Sequence, residues 1–154
     1  MPRARTNVAV VAATAVAALL TACGAPTPAA FLEQSDRALE DATSAVATTG
    51  VALDQLRLRR LPRPYGTVVL TEQEESLGST QQSYAATQPP ASEQAVYDST
   101  TDLLEEASGL VTEARIAVRR GRHGSYAQIR SDLAEVGSQI AEARQEIAPT
   151  VAER

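Results

Sequence analysis

The side chains of this chain that are able to do chemistry are few, and their spacing fits no common catalytic arrangement. His123 is the only histidine, so a Ser-His-Asp triad would depend on it, and the adjacent Gly124-Ser125 does not form the Gly-x-Ser-x-Gly turn of hydrolases. The chain has no Glu-x-x-His pair of the kind found in di-iron carboxylate bundles. Cys23 is the only cysteine, which excludes a disulfide within the chain and a site built from several thiolates. We therefore predict a protein that is not an enzyme and that uses no metal or cofactor.

The thiol of Cys23 has a different chemical context, at the end of an apolar segment. A run of about 13 apolar residues, within the roughly 7–15 of a signal-peptide core, follows Arg3 and Arg5 and ends at Leu20. Leu20-Thr21-Ala22-Cys23 combines an aliphatic residue, two small residues and a cysteine. This tetrapeptide resembles the lipobox of bacterial lipoproteins, in which a diacylglyceryl group is attached to the cysteine sulfur and the leader is removed.

The resemblance implies a signal peptide at 1–22, a lipidated cysteine and tether at 23–29, and a helical domain at 30–154. It also implies a chain that is anchored in the cell membrane and faces outside the cytoplasm. The two acyl chains of a diacylglyceryl group hold a protein stably at a membrane, whereas a single chain holds it only marginally. An ordinary cleaved leader or a signal anchor is the alternative. The rest of the chain is similar to small, alanine- and arginine-rich helical lipoproteins of actinobacteria, a resemblance that implies no activity.

Composition narrows the class of partner. The chain has 14 basic residues, all of them arginine, against 19 acidic ones, and its formal charge is −5. Loss of Arg3 and Arg5 with the leader would change this charge to −7, which is too acidic for a general nucleic-acid binder. With no Trp and one Phe, a large aromatic-lined ligand pocket is not expected either.

Beyond the tether, apolar residues recur every seven positions in four segments, as in amphipathic and coiled-coil helices with one buried face. The segments cover about 30–61, 67–87, 91–121 and 125–149, and prolines or glycines lie between them. Their main apolar columns are Leu32, Leu39, Val46 and Leu53; Leu70, Leu77 and Tyr84; Val96, Leu103, Leu110 and Ala117; and Tyr126, Leu133, Ile140 and Ile147.

Four such helices with short connections predict an all-α fold, an up-down-up-down four-helix bundle. The second segment is more polar than the others. The alternative is therefore a three-helix bundle in which 67–90 is an irregular crossover. No segment shows the alternation of a strand.

In an up-down bundle, the connections after the first and third helices lie at the same end, and both are rich in arginine. One interpretation is that these cations compensate the helix dipoles. The other is a docking surface for an anionic partner, because the guanidinium group suits carboxylate and phosphate. Glu72, Glu74 and Glu75 are expected to neutralise part of it. We name as the arginine tip the residues Arg57, Arg59, Arg60, Arg63, Arg119, Arg120 and Arg122.

Four glycines, Gly50, Gly78, Gly109 and Gly137, lie inside the predicted helices, where each costs about 1 kcal/mol relative to alanine. Close helix approach or bending would explain them. A small cavity or hinge layer is the alternative.

These features favour a lipid-anchored adaptor or scaffold that contacts membrane lipid through the acylated cysteine. Its further partner would be an anionic envelope polymer or another envelope protein, and not nucleic acid. The alternative is an extracytoplasmic ligand-binding or sensing subunit associated with a membrane transporter or receptor, which would require an internal pocket with converging polar groups. A mechanical spacer between membrane and wall is the third hypothesis.

Overall fold

The computed structural model describes residues 26–152, and their side chains as far as 148. These residues form four α-helices and no strand: α1 (Pro28–Arg57), α2 (Arg63–Ala85), α3 (Gln94–Arg119) and α4 (Tyr126–Ala152). Short 3₁₀ turns, Ala91–Glu93 and His123–Ser125, precede α3 and α4. The all-α prediction is confirmed, and the three-helix alternative is wrong because α2 is a complete helix. None of the described helices is long and apolar enough to cross a membrane.

The helix ends differ from the predicted ones for local reasons. The segment Leu61-Pro62-Arg63-Pro64 does not extend as a linker to Thr67, because α2 begins inside it with Pro62 as its N-cap. Prolines are tolerated in a first helical turn, where the missing N–H has no intrahelical partner. At the other end of the chain, α4 continues past Pro149 to Ala152. The proline removes one donor from the last turn only.

The buried side chains confirm the predicted apolar columns of α1, α2 and α4. In α3 the predicted column is fully buried only at Ala117, while Val96, Leu103 and Leu110 are half-buried at the edge of the core. Leu104, Val111 and Val118, which widen the same apolar stripe, face the centre of the core, because α3 packs against α1, α2 and α4 together. The buried residues of α3 are Thr100, Leu104, Ala107, Val111, Ala114, Ala117 and Val118.

Polar contacts show how neighbouring helices are aligned. Ser35, early in α1, lies with its hydroxyl 2.9 Å from that of Tyr84, late in α2. Tyr84 in turn stacks on Tyr97, early in α3, with ring centroids 5.4 Å apart. Arg144, late in α4, donates to Asp36 of α1 at 2.7 Å. These contacts place the starts of α1 and α3 and the ends of α2 and α4 near one another, at the end of the molecule that we call the base.

The glycine that allows a close helix approach is Gly66, and none of the four interior glycines does so. A Cβ at Gly66 would lie 2.8 Å from both methyl carbons of Leu56 and 3.1 Å from its Cγ. No heavy atom comes within 4 Å of the corresponding position at Gly50, Gly78 or Gly109. At Gly137 the nearest atom is at an ordinary 3.6 Å. The predicted close approach at the interior glycines is therefore wrong, and the close contact that a glycine allows is the one between α1 and α2 at Gly66.

Replacing Gly66 by alanine is expected to lower the free energy of unfolding by up to about 2 kcal/mol. Overpacking against the buried Leu56 costs about 1–3 kcal/mol, which outweighs the gain in helix propensity of about 1 kcal/mol. The exposed Gly78 is the matched control, and Gly78→Ala is expected to raise stability by up to about 1 kcal/mol. Urea unfolding of both variants measures the difference. Equal stabilities would contradict the close approach.

Candidate functional site

The structure brings the two arginine-rich connections together. Nη1 of Arg63, in the first turn of α2, lies 3.0 Å from the position of a Cβ on Gly121, in the connection between α3 and α4. All seven arginines of the arginine tip are exposed. Cys23, the other predicted site residue, lies outside the described residues.

The end of α1 is closed by its own backbone. The N–H of Arg60 donates to the carbonyl of Gln55 at 2.8 Å, and the N–H of Arg59 donates to that of Leu56 at 3.1 Å. This is the Schellman arrangement, in which the residue after the C-cap adopts a left-handed conformation. Here that residue is Arg59, with φ 56°, the only described non-glycine residue with positive φ.

The end of α3 has the same Schellman arrangement, and here the left-handed position is occupied by glycine, the residue type that this position favours. The N–H of Arg122 donates to Ala117 at 2.8 Å, and the N–H of Gly121 (φ 68°) donates to Val118 at 3.1 Å. Arg59 is therefore the structural counterpart of Gly121.

Exchanging the residue types at these two positions should change stability in opposite directions. A left-handed conformation costs a residue with a Cβ about 1–2 kcal/mol, and part of any gain from glycine is offset in the unfolded chain. We expect Arg59→Gly to raise the free energy of unfolding by about 1 kcal/mol and Gly121→Ala to lower it by a similar amount. The end of the Arg63 side chain near Gly121 can move aside. Urea unfolding tests both, and changes of the same sign would contradict the assignment.

Most of the tip's positive charge is not neutralised within the described part of the chain. Asp54 lies 2.7 Å from Nε of Arg130 and 3.9 Å from Nε of Arg57. Of the three glutamates expected to neutralise the tip, only Glu74 forms an ion pair, and it does so with Arg115. Within residues 26–152, no ion pair within 4.0 Å involves Arg59, Arg60, Arg63, Arg119, Arg120 or Arg122.

The ion pair of Glu74 belongs to the packing of α2 against α3. Burial alone would raise the pKa of this carboxyl group, but hydrogen bonds from Arg115 and Thr112, together with the charge of Arg115, lower it below its usual value. Thr112 donates to Oε1 of Glu74 at 2.8 Å, and Nη2 of Arg115 donates to the same atom at 3.1 Å. Arg115 is therefore engaged in the bundle, unlike the arginines of the tip.

Exposed apolar side chains accompany the arginines, a feature that the heptad pattern did not predict. Four large apolar side chains are exposed among the described residues: Val51, Leu58, Tyr65 and Val68. Leu58 is the C-cap of α1, and Tyr65 and Val68 lie in the first turns of α2. Since these three fall outside the apolar columns, their departure from the heptad pattern is the signal that was available in the sequence.

The single histidine lies at the edge of the tip and is exposed. The ring of His123 packs edge to face on Tyr126, with centroids 5.2 Å apart. Burial raises the pKa of Tyr126, and the charge of Arg63 opposes this shift. Among the described residues, no group of three or more His, Cys, Asp or Glu side chains is arranged to hold a metal ion.

A surface groove of about 570 Å³ runs between α1 and α4. It includes two of the interior glycines, Gly50 and Gly137, with the exposed Val51 and Ala134 on its sides. The predicted cavity layer of four glycines is wrong, since Gly78 and Gly109 are exposed on other helices. The groove is a consequence of small residues on two neighbouring helices.

Comparisons of the chain with protein-family models, with curated proteins and with solved structures found no match.

Proposed function

We propose that this chain is a lipid-anchored, non-catalytic protein of the bacterial cell envelope that binds an anionic partner through the arginine tip. In this proposal residues 1–22 are a signal peptide, Cys23 carries the lipid, 23–29 form the tether and 30–154 an up-down-up-down bundle outside the cytoplasm. The observation that carries the docking role is the conformation of Arg59. An exposed arginine occupies a left-handed position that glycine would fill with less strain.

Helix-end chemistry accounts for only some of these arginines. The dipole acts within the last turn of a helix, which contains Arg57 in α1 and Arg119 in α3. Arg59, Arg60 and Arg122 lie beyond the helix ends. The carbonyl groups that a cation would satisfy already accept backbone N–H groups at both ends. A strained backbone at an exposed cation supports a role outside the fold.

The geometry of the chain supports a tip that is held away from the membrane. Cys23 precedes the first residue of α1, Pro28, by five positions in the sequence, which corresponds to about 17 Å of extended chain. The 30 residues of α1 cover about 45 Å at 1.5 Å per residue. With the lipid at the base, the arginine tip would stand about 45 Å or more from the lipid surface.

The ligand-binding alternative receives less support. It requires an internal pocket with converging polar groups, whereas the groove between α1 and α4 lies at the surface and its two charged residues, Asp54 and Arg130, already pair with each other. An adaptor acting through a charged surface fits the described residues better.

Binding of the purified full-length protein, in detergent, to isolated envelope fractions tests the proposal. The amount bound is expected to fall steeply between about 50 and about 500 mM salt, because exposed charges are screened over this range. Binding that is absent at low salt, or independent of salt, would contradict a docking role for the arginines.

A further inference from the structure

Residues 57–68 combine four exposed arginines of the tip with three of the four large apolar side chains that are exposed among the described residues. Tyr65 is 68% exposed, Val68 55% and Leu58 46%, and only Val51, about two turns before the end of α1, is exposed to a similar degree elsewhere among the described residues. Tyr65 and Val68 are three positions apart in α2, so they lie on one face of that helix. The surface is therefore amphipathic as well as cationic.

The apolar component distinguishes between anionic partners. A phosphate polymer is held by charge and by arginine hydrogen bonds to its oxygens, and exposed aliphatic side chains add little to such contacts. Protein interfaces differ, since Arg and Tyr are enriched in them and carry much of the binding energy when they are desolvated. Arginines interspersed with Leu58, Tyr65 and Val68 match this second composition.

We infer that the arginine tip recognises an acidic protein surface that also presents apolar side chains, rather than a phosphate polymer or a lipid bilayer. This inference rests on the proposed docking function and specifies its partner class. The carboxylates of the partner would pair with Arg59, Arg60, Arg119 and their neighbours, while Tyr65 and Val68 would bury against its apolar residues. A lipid bilayer is disfavoured because the base carries the anchor in this proposal and the tip points away from it.

Three water-soluble probes of known chemistry test the inference on the full-length protein in detergent. The first is an amphipathic peptide with glutamate on one helical face and leucine on the other. Poly-glutamate of equal charge and sodium polyphosphate are the others. We expect the amphipathic peptide to bind about tenfold or more tightly than poly-glutamate or polyphosphate, a difference typical of a desolvated apolar contact.

Paired variants assign that preference to the tip. The double variant Tyr65→Ser/Val68→Ser is expected to lose the tenfold preference for the peptide and to bind polyphosphate as before. Val51→Ser, which removes an apolar side chain of similar exposure outside the tip, should change neither affinity. All three residues are exposed, so thermal unfolding should show an intact fold in each variant.

The outcomes separate the inference from the function on which it rests. Polyphosphate or poly-glutamate that binds as tightly as the peptide would overturn the inference and leave docking through the arginines in place. A preference that persists in Tyr65→Ser/Val68→Ser would overturn it as well. If no probe binds, and a variant with Arg59 and Arg60 changed to glutamine behaves as the parent protein toward envelope fractions, the proposed function and the inference both fail.

Discussion

Changing Arg59, Arg60, Arg119 and Arg120 to alanine is expected to abolish most of the binding to envelope fractions at low salt. These four side chains are exposed and form no ion pair with a described carboxylate. An arginine near an anionic surface contributes about 1 kcal/mol, so the four together correspond to about 4 kcal/mol, or a hundredfold to a thousandfold in affinity. Because alanine keeps a Cβ at position 59, the fold should retain its stability to within about 1 kcal/mol.

The double variant Arg37→Ala/Arg144→Ala distinguishes a local surface from overall charge. Arg37 and Arg144 lie in the base half of the molecule, where they pair with Glu33 and Asp36. If net charge alone governed binding, this control, which removes two charges, would lose about half as much binding free energy as the variant in which four arginines are replaced. We expect it to bind as the parent protein does. If the control loses about half as much binding free energy as the variant with four arginines replaced, the binding depends on overall charge and not on the arginine tip.

Changing Cys23 to serine is expected to abolish acylation of the whole population of the chain. The protein should then either appear in the soluble fraction or accumulate as a precursor that keeps its leader. Serine offers no thiol for the thioether bond, and each methylene group of a lost acyl chain removes about 0.8 kcal/mol of membrane affinity. Fractionation of cells, with the intact mass of the purified protein, measures the change. Thr21→Ser, which keeps a small residue beside the cysteine, is the control and should remain acylated. A Cys23→Ser chain that has lost its leader and still remains in the membrane fraction as the control does would contradict lipidation.

Much of the bundle could be predicted because burial imposes a period on the sequence. Leu32, Leu39, Val46 and Leu53 in α1 face the core as their spacing required. So do Leu133 and Ile140 in α4. In α3 the apolar stripe is two columns wide, and only the positions of the other helices decide which column lies deeper in the core.

The local details of the tip depend on features that spacing does not contain. Nothing in the residue type of Arg59 indicates a left-handed conformation, because glycine is the usual residue there. The role of Gly66 follows from the position of Leu56 across the connection, which is a tertiary contact. The prolines beside it indicated a break, yet in a first helical turn they start a helix equally well.

A single substitution, Arg59→Gly, tests the central claim most directly, because stability and binding should respond in opposite directions. The free energy of unfolding and the affinity for envelope fractions are measured on the same preparation. If the tip is a docking surface, Arg59→Gly is more stable by about 1 kcal/mol and binds several-fold more weakly. If the arginines only complete the helix ends, the variant is more stable and binds as the parent protein does, and this result would contradict the proposed function.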